Sequence, residues 1–350
     1  MTMVRGYLAV VVGALVLAVA PFVASSYAVV FLIEALALIV FAYCWNLISG
    51  YTGYLTLGHI AYFGLGGYAA ALAISNGLSW EFGLLLSALA SGVLAFVLGP
   101  VILRLRSMAF AIATFGLSRI LESFGYLLPW TNGGSGMYLT PAVSLNAIFW
   151  MLLALAAFTI CATYKIDNSI FGLRLLAIRD DQDAARAMGI NTLKYKRIAL
   201  VLSAFPAGMA GALFVYYLAY IDPVNAFLPV RELMVAAGVL LGGIGTVTGP
   251  LLGMAIILIA YETLWASLPW LYQIFTGLVL VMTVTFMPRG ILPALGQFNR
   301  AFGSRQSLRK EVDAEYIAMR KESQATVRDG ASVGHRASEL EANSLPRRTT

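Results

Sequence analysis

Long apolar runs occupy most of the chain, at 8–25, 28–48, 54–75, 82–103, 107–129, 147–164, 197–220 and 271–288, with a longer one from Leu233 to Tyr261. Each of the shorter runs is close to the roughly 20 residues that a helix needs to cross a bilayer. None shows the two-residue alternation of a barrel strand, and backbone polar groups cannot be left open to lipid, so the runs are predicted to be helices. Between Gly6 and Arg104 the only ionisable side chains besides Tyr and Cys are Glu34, His59 and Glu81. The pattern therefore predicts an all-α, polytopic integral membrane protein with about eight full spans. The first run follows Arg5 as a signal peptide would. It lacks a clear small-residue cleavage site, and it is kept as a membrane helix.

Positive residues orient the spans. Arg5 places the N-terminus inside, and Arg104 and Arg106 mark the inner side after four crossings. After six crossings comes the most basic loop, with Lys165, Arg174, Arg179, Arg186, Lys194, Lys196 and Arg197. The segment Thr131–Asn146 on the other side has no charge at all. Arg289, Arg300, Arg305, Arg309 and Lys310 put the tail inside as well. Going from inside at Arg197 to inside at Arg289 needs an even number of crossings, whereas the runs 197–220, 233–261 and 271–288 would give an odd one. The parity is restored if 233–261 is a broken pair of helices that enters and leaves on one face. Its centre, Leu241-Gly-Gly-Ile-Gly-Thr-Val-Thr-Gly-Pro250, is rich in helix breakers. A single long tilted helix is the alternative and would put the tail outside. The glycine-rich stretch Gly50–His59 opens the third run and only loosely shares the spacing of the second, a weak sign of an internal repeat.

Composition agrees: the chain is 60% hydrophobic and 11% charged, too apolar for a soluble domain of 350 residues. The net charge of +6 is concentrated in the basic loop and the tail, so it reports topology and not nucleic-acid binding. Cys44 and Cys161 lie inside apolar runs and read as free, packed thiols. No metal-ligand cluster and no phosphate-binding G-x-x-x-x-G-K-[ST] motif occurs, so no metal or cofactor is expected in this chain and any ATP hydrolysis comes from partners.

Between the sixth and seventh runs, Leu173, Leu176, Ala177, Ala184, Ala185 and Met188 recur at helical spacing. Arg179, Asp180 and Asp181 interrupt them, and Gly189 ends the stretch as a C-terminal cap would. Two short amphipathic helices fit. Such a pair can dock into a groove of a partner or lie in the lipid headgroup layer.

The residues here carry a resemblance. Gly172-Leu-Arg-Leu-Leu-Ala-Ile-Arg-Asp-Asp181 through Ala184-Ala-Arg-Ala-Met-Gly-Ile-Asn191 resembles the coupling loop of branched-chain amino acid ABC permeases, and the continuation from Lys194 to Leu213 is similar to the same family. Trp45-Asn-Leu-Ile-Ser-Gly50 through His59 and the stretch Gly242–Pro250 resemble the same family. The likeness runs from about residue 28 to 292 and is strongest to the LivM-like subunit of the LivH/LivM pair. Thr56 stands where the family often has Ser, and the tail is longer and more polar than expected. The resemblance implies an importer of five parts: this chain, a second LivH-like permease, two cytoplasmic ATPases and a periplasmic or lipid-anchored solute-binding protein. Together with the parity and composition readings, this divides the chain into a permease part at 1–299, with a coupling loop at 166–196 and a re-entrant segment at 233–261, and a polar, partly disordered cytoplasmic tail at 300–350.

On that reading Gly172, Arg179, Asp180, Asp181, Ala184, Gly189 and Ile190 are candidates for ATPase contact. Asn46, Tyr51, Gly53, Thr56, His59, Gly243, Gly245 and Thr246 are candidates for the translocation path, because broken-helix termini offer free N–H groups to a carboxylate. Arg119 and Glu122, three apart in the fifth run, share a helix face and join the list as ionisable groups at membrane depth. His59 reads equally as a hydrogen-bonded packing residue, and Arg119 as one that snorkels. Glu34 and Glu262 each need a partner that the sequence does not show. Beside branched-chain amino acids, urea, short amides or aromatic acids are possible cargoes. An ion-coupled secondary transporter and an intramembrane enzyme are the readings from other classes.

Overall fold

A computed structural model describes residues 10, 12–105, 107–140, 143–267, 274, 277, 278 and 281. They fall in the first of two units of the chain, Met1–Leu292, and none in the second, Pro293–Thr350. Arg5, nearly all of the 271–288 run and the 300–350 tail lie outside the described residues.

The helices in chain order are α1 (Val12–Val23), α2 (Ser26–Trp45), α3 (Ile60–Ser75), α4 (Trp80–Ile102), α5 (Ser107–Leu127) and α6 (Leu145–Asp167). After them come α7 (Ile170–Asp180), α8 (Gln182–Ala187), α9 (Thr192–Leu218), α10 (Pro223–Ala226), α11 (Pro229–Gly242) and α12 (Gly249–Ser267). Side-chain caps set several starts. Ser25, Ser144, Ser169, Asp181, Asn191 and Asp222 each accept a backbone N–H from the first turn that follows. The one ladder among the described residues pairs β1 (Met137–Tyr138) with β2 (Tyr220–Ile221), antiparallel, and ties the uncharged 131–146 segment to the end of α9.

On α4 the packing is inverted relative to a soluble protein. The buried face of α4 consists of Gly83, Ser87, Ala88, Ser91, Gly92, Ala95 and Gly99, while Phe82, Leu85, Leu89, Val93, Phe96 and Val97 are exposed. Lipid is as apolar as leucine, so helix association in a membrane rests on close backbone approach and not on hiding large side chains. The core is formed by α2 and α9, wrapped by α3, α4 and α6, with Phe41, Trp45, Phe149 and Leu213 buried between them. Where α3, α4 and α9 cross, a Cβ added at Gly208 would stand 2.6 Å from the Ser87 carbonyl oxygen and 2.8 Å from Ser91 Cβ. Gly208→Val is expected to push these helices apart and to cost about 1–3 kcal/mol as overpacking. A lowered melting temperature of the purified protein in detergent would show it, and an unchanged one would rule out the close crossing.

Five helices or helical segments are long and apolar enough to cross a membrane: Ser26–Gly50, Trp80–Ile102, Leu145–Asp167, Thr192–Leu218 and Pro223–Gly242. Three apolar helices are shorter, Val12–Val23, Ile60–Ser75 and Gly249–Thr263. The third predicted run, 54–75, is helical only from Ile60, because Gly53 turns with φ +74° and residues 54–59 stay irregular. At about 1.5 Å per residue the 16 residues of α3 reach only about 24 Å, and the irregular segment supplies the rest. The long run 233–261 is divided at 243–248, where Gly243 (φ 134°) and Gly245 (φ 74°) take conformations that a side chain would strain. Thr246 Oγ1 then accepts from Gly249 N (3.0 Å) and starts α12.

Candidate functional site

The connection between α6 and α9 folds into α7 and α8, which meet at Asp181. The Asp181 carboxylate accepts from Ala184 N (3.0 Å) and Asp183 N (2.8 Å) and so caps α8. These two N–H groups hold its carboxyl below the ordinary value of 3.8. Because the folded value is the lower one, the cap is fully present above that ordinary value and is lost as pH falls through the depressed one. Gly172 is buried, and a Cβ there would overlap the Ile166 carbonyl. Asp180, Ala184 and Gly189 are exposed and Ile190 is half-buried. Leu173 and Met188 add exposed apolar surface, at 63% and 84%. Gly172 and Asp181 thus serve the fold of the loop itself, and the outward face belongs to Asp180, Ala184, Met188 and Gly189.

Arg179 turns inward. Its guanidinium donates to the Gly50 carbonyl (2.8 Å), and its aliphatic stem covers Gly53. Gly50 closes a π-helical turn, Asn46–Gly50, that ends α2. Such a turn shifts the register of the side chains it carries. The buried Asn46 side chain accepts from Gly245 N (2.8 Å) and donates to the Thr246 carbonyl (3.0 Å), while Tyr43 donates to the Val247 carbonyl (2.6 Å). The helix break at 243–248 is therefore clamped by α2, and the clamp touches Arg179 of the loop.

Further along the same segment, Tyr51 donates to Asp167 Oδ1 (2.9 Å) and Tyr54 donates to Gln182 Oε1. Lys196, fully buried at the start of α9, donates to that same Gln182 oxygen (3.1 Å) and to the Leu103 carbonyl at the end of α4 (3.1 Å). Its ammonium lies 4.0 Å from the centre of the Tyr54 ring. Residues 50–54 are thus a seat on which both loop helices rest, and the seat continues into the break. The sequence-predicted Asn46, Tyr51, Gly53, Gly245, Thr246 and Arg179 are brought together here, and Gly243 begins the clamped turn.

Irregular backbone at membrane depth must find its hydrogen bonds inside the protein. Here five consecutive N–H groups do so through side chains. Thr56 N donates to Ser49 Oγ (3.2 Å), Leu57 N to Thr114 Oγ1 (3.2 Å) and Gly58 N to Thr56 Oγ1 (3.3 Å). His59 N and Ile60 N donate to the two carboxyl oxygens of Glu232 (2.9 and 2.8 Å). Glu232 is 1% exposed and stands on the positive end of α3, where a carboxylate is favoured. Trp45 Nε1 holds the Thr56 carbonyl (3.1 Å). The His59 ring is fully buried between Phe41 and Tyr62, and neither ring nitrogen makes a well-formed hydrogen bond among the described residues. Thr56 and His59 accordingly sit in the packing around Glu232.

Arg119 and Glu122 form an ion pair on α5, apart from this seat, and Arg119 also donates to the Phe227 carbonyl. Sequence reasoning passed over Tyr43, Tyr54, Gln182, Arg231 and Glu232 and used Lys196 only as a topology marker. The adjacent charges Arg231-Glu232 at the mouth of an apolar run were a signal, but their partners are far away in the chain.

Many apolar helices, small-residue crossings, a broken helix pair and a folded loop seated on the break define a multi-pass helical membrane transport subunit. The chain belongs to the family described as the permease component of branched-chain amino acid transport systems, whose model matches residues 27–284. It is 28% identical over 316 residues to the high-affinity branched-chain amino acid transport system permease protein LivM of Salmonella typhimurium strain LT2, covering 80% of this chain and 73% of that protein. To LivH of the corresponding system in Escherichia coli K12 it is 30% identical over 166 residues, 47% of this chain and 52% of that protein. The autoinducer 2 import system permease protein LsrC of Enterobacter sp. strain 638 is 27% identical, over 62% of this chain and 66% of its own length. No solved structure matches.

Proposed function

We propose that this chain is the LivM-like permease subunit of an ABC importer in a bacterial inner membrane and that it carries branched-chain or closely related amino acids. It pairs with a LivH-like permease and rests on two cytoplasmic ATPases. A periplasmic or lipid-anchored binding protein delivers the solute, and ATP is consumed by the partners, with no cofactor in this chain. Both termini are cytoplasmic on this reading. The observation that carries it is the helix pair α7–α8, which presents Asp180, Ala184, Met188 and Gly189 outward while Arg179 and Gln182 anchor it to the Gly50–Tyr54 seat. An outward apolar and acidic helix face suits a groove on a soluble partner. The relatives named for branched-chain amino acid transport support the choice of cargo.

The test is uptake of labelled leucine by proteoliposomes containing the complete complex, with and without the ATPases. ATP-independent uptake by this chain alone would overturn the importer reading in favour of a secondary transporter. At the loop, Asp180→Lys combined with Met188→Asp is expected to weaken ATPase copurification by about tenfold, as the loss of one good contact would. Membrane insertion should be unchanged, because neither side chain supports the fold of the loop. Undiminished copurification would remove α7–α8 as the docking surface.

A further inference from the structure

The two loop helices are tied to different parts of the bundle. α7 reaches Gly50 through Arg179, next to the helix break. α8 reaches elsewhere. Its first residue, Gln182, presents Oε1 to two donors at once, the Tyr54 hydroxyl and the Lys196 ammonium (3.1 Å). Lys196 also donates to the carbonyl of Leu103 (3.1 Å), the residue that closes α4. Tyr54 extends the contact to α5, because its ring meets the fully buried Phe110 edge-on, with centroids 5.3 Å apart. One turn further along α5, Thr114 Oγ1 accepts from Leu57 N (3.2 Å) and ties the same helix to the irregular segment. Arg186 adds a bond from α8 to Thr192 Oγ1 (3.1 Å), but that bond ends six residues away at the start of α9.

The placement of Lys196 is more than a helix start requires. It stands in the second turn of α9, two residues after the exposed Lys194, where so long a side chain could reach water by snorkelling. It is instead 1% exposed, with its ammonium 4.0 Å from the centre of the Tyr54 ring and at the C-terminal end of α4, where the helix dipole favours a cation. A buried ammonium holds its acceptors more firmly than a surface one, because the loss of one is not made good by water.

We infer that Lys196 and Gln182 form a second mechanical link, separate from the Arg179 anchor, which carries displacement of α8 to α4 and α5 during the transport cycle. Lys196 is a positioning residue: it acts through Gln182 and touches no solute. Each loop helix then has its own line into the bundle, α7 to the break between α11 and α12, and α8 to the end of α4 and the flank of α5. The inference rests on the importer reading, in which the ATPases move the loop.

Two measurements on the complete complex test it. The first is the ratio of leucine uptake to ATP hydrolysis in proteoliposomes. Gln182→Leu and Lys196→Met should each lower that ratio by about fivefold or more, the low end of an ordinary coupling between sites, with ATPase copurification and the thermal midpoint near wild type. Gln182→Glu keeps an oxygen for both donors and should retain most of the ratio. Gln182→Leu combined with Lys196→Met should lose less than the product of the single losses, since both cut one link. Asn46→Ala combined with Lys196→Met should lose the full product, since the two residues bond to different elements. Wild-type ratios in both single variants overturn the inference. So does a parallel fall of uptake and hydrolysis, which would make the junction an assembly contact. An Asn46 and Lys196 double variant no worse than either single would merge the two links into one and overturn their separation.

The second measurement is hydrogen–deuterium exchange of the backbone amides. In Lys196→Met the amides of 182–187 should exchange faster than in wild type, while those of 170–180 stay as they were. Unchanged exchange in α8 overturns the role of Lys196. If the wild-type complex shows no ATP-driven uptake, the importer reading fails, and the exchange of α8 still decides whether Lys196 holds it.

Discussion

Glu232→Ala is expected to be the most damaging single substitution in the described part of the chain. It strands the N–H groups of His59 and Ile60, which the Glu232 carboxylate holds at 2.9 and 2.8 Å in a buried, low-dielectric setting. At roughly 1–3 kcal/mol for each buried donor left without an acceptor, the loss is about 2–6 kcal/mol. That is comparable with the total stability of many proteins, so the yield of folded protein should fall sharply. Glu232→Gln keeps one oxygen for one N–H but turns an amide toward the other, and should lie between alanine and wild type. Thermal unfolding in detergent, followed by intrinsic fluorescence, checks the order. Equal midpoints for the alanine variant and wild type would show that α3 does not depend on this cap.

The second large effect concerns transmission between the loop and the helix break. Arg179→Ala removes a charged hydrogen bond to Gly50, and Asn46→Ala releases both Gly245 N–H and the Thr246 carbonyl. On the importer reading proposed above, each is expected to leave the ATPases bound and hydrolysing ATP while leucine uptake drops by about tenfold or more, the equivalent of ~1.4 kcal/mol or more in coupling. The two substitutions meet at Gly50 and Gly245, so the double variant should lose less than the product of the single losses. Uptake and hydrolysis falling in parallel in both single variants would mean that the seat supports only assembly. Wild-type rates of both uptake and hydrolysis would mean that the loop reaches the break by another route.

Much of this architecture could be read from residues near one another in the chain. The division of 233–261 follows from Gly242, Gly243, Gly245 and Gly249, since glycine alone tolerates φ values of 134° and 74° without strain. The helix pair α7–α8 follows from its apolar spacing and from Asp181 at a capping position. By contrast, the irregular stretch 54–59 was only half legible: the glycines of Gly50–His59 marked a candidate break, but Tyr54-Leu-Thr-Leu-Gly-His59 is as apolar as its neighbours and reads as the start of the third span. The helix starts late because its N-terminal donors find better acceptors in Glu232, Thr114 and Ser49 than a further turn would offer. Arg179 likewise reads in sequence as one more outward charge of a basic loop, and only the proximity of Gly50 explains why it points in.

Residue order was enough to set the class of this protein: a helical membrane chain of a transport permease family, with a structured loop and a broken helix pair. Those properties depend on periodicity, charge placement and glycine, which act over one or two turns. Which polar groups meet was settled only by the packing of the whole bundle. The Asn46 clamp, the Lys196–Gln182–Tyr54 junction and the Glu232 cap each join different elements of the fold. A buried polar group takes whatever partner the packing of helices brings within reach, and that packing depends on the shape of many small residues at once.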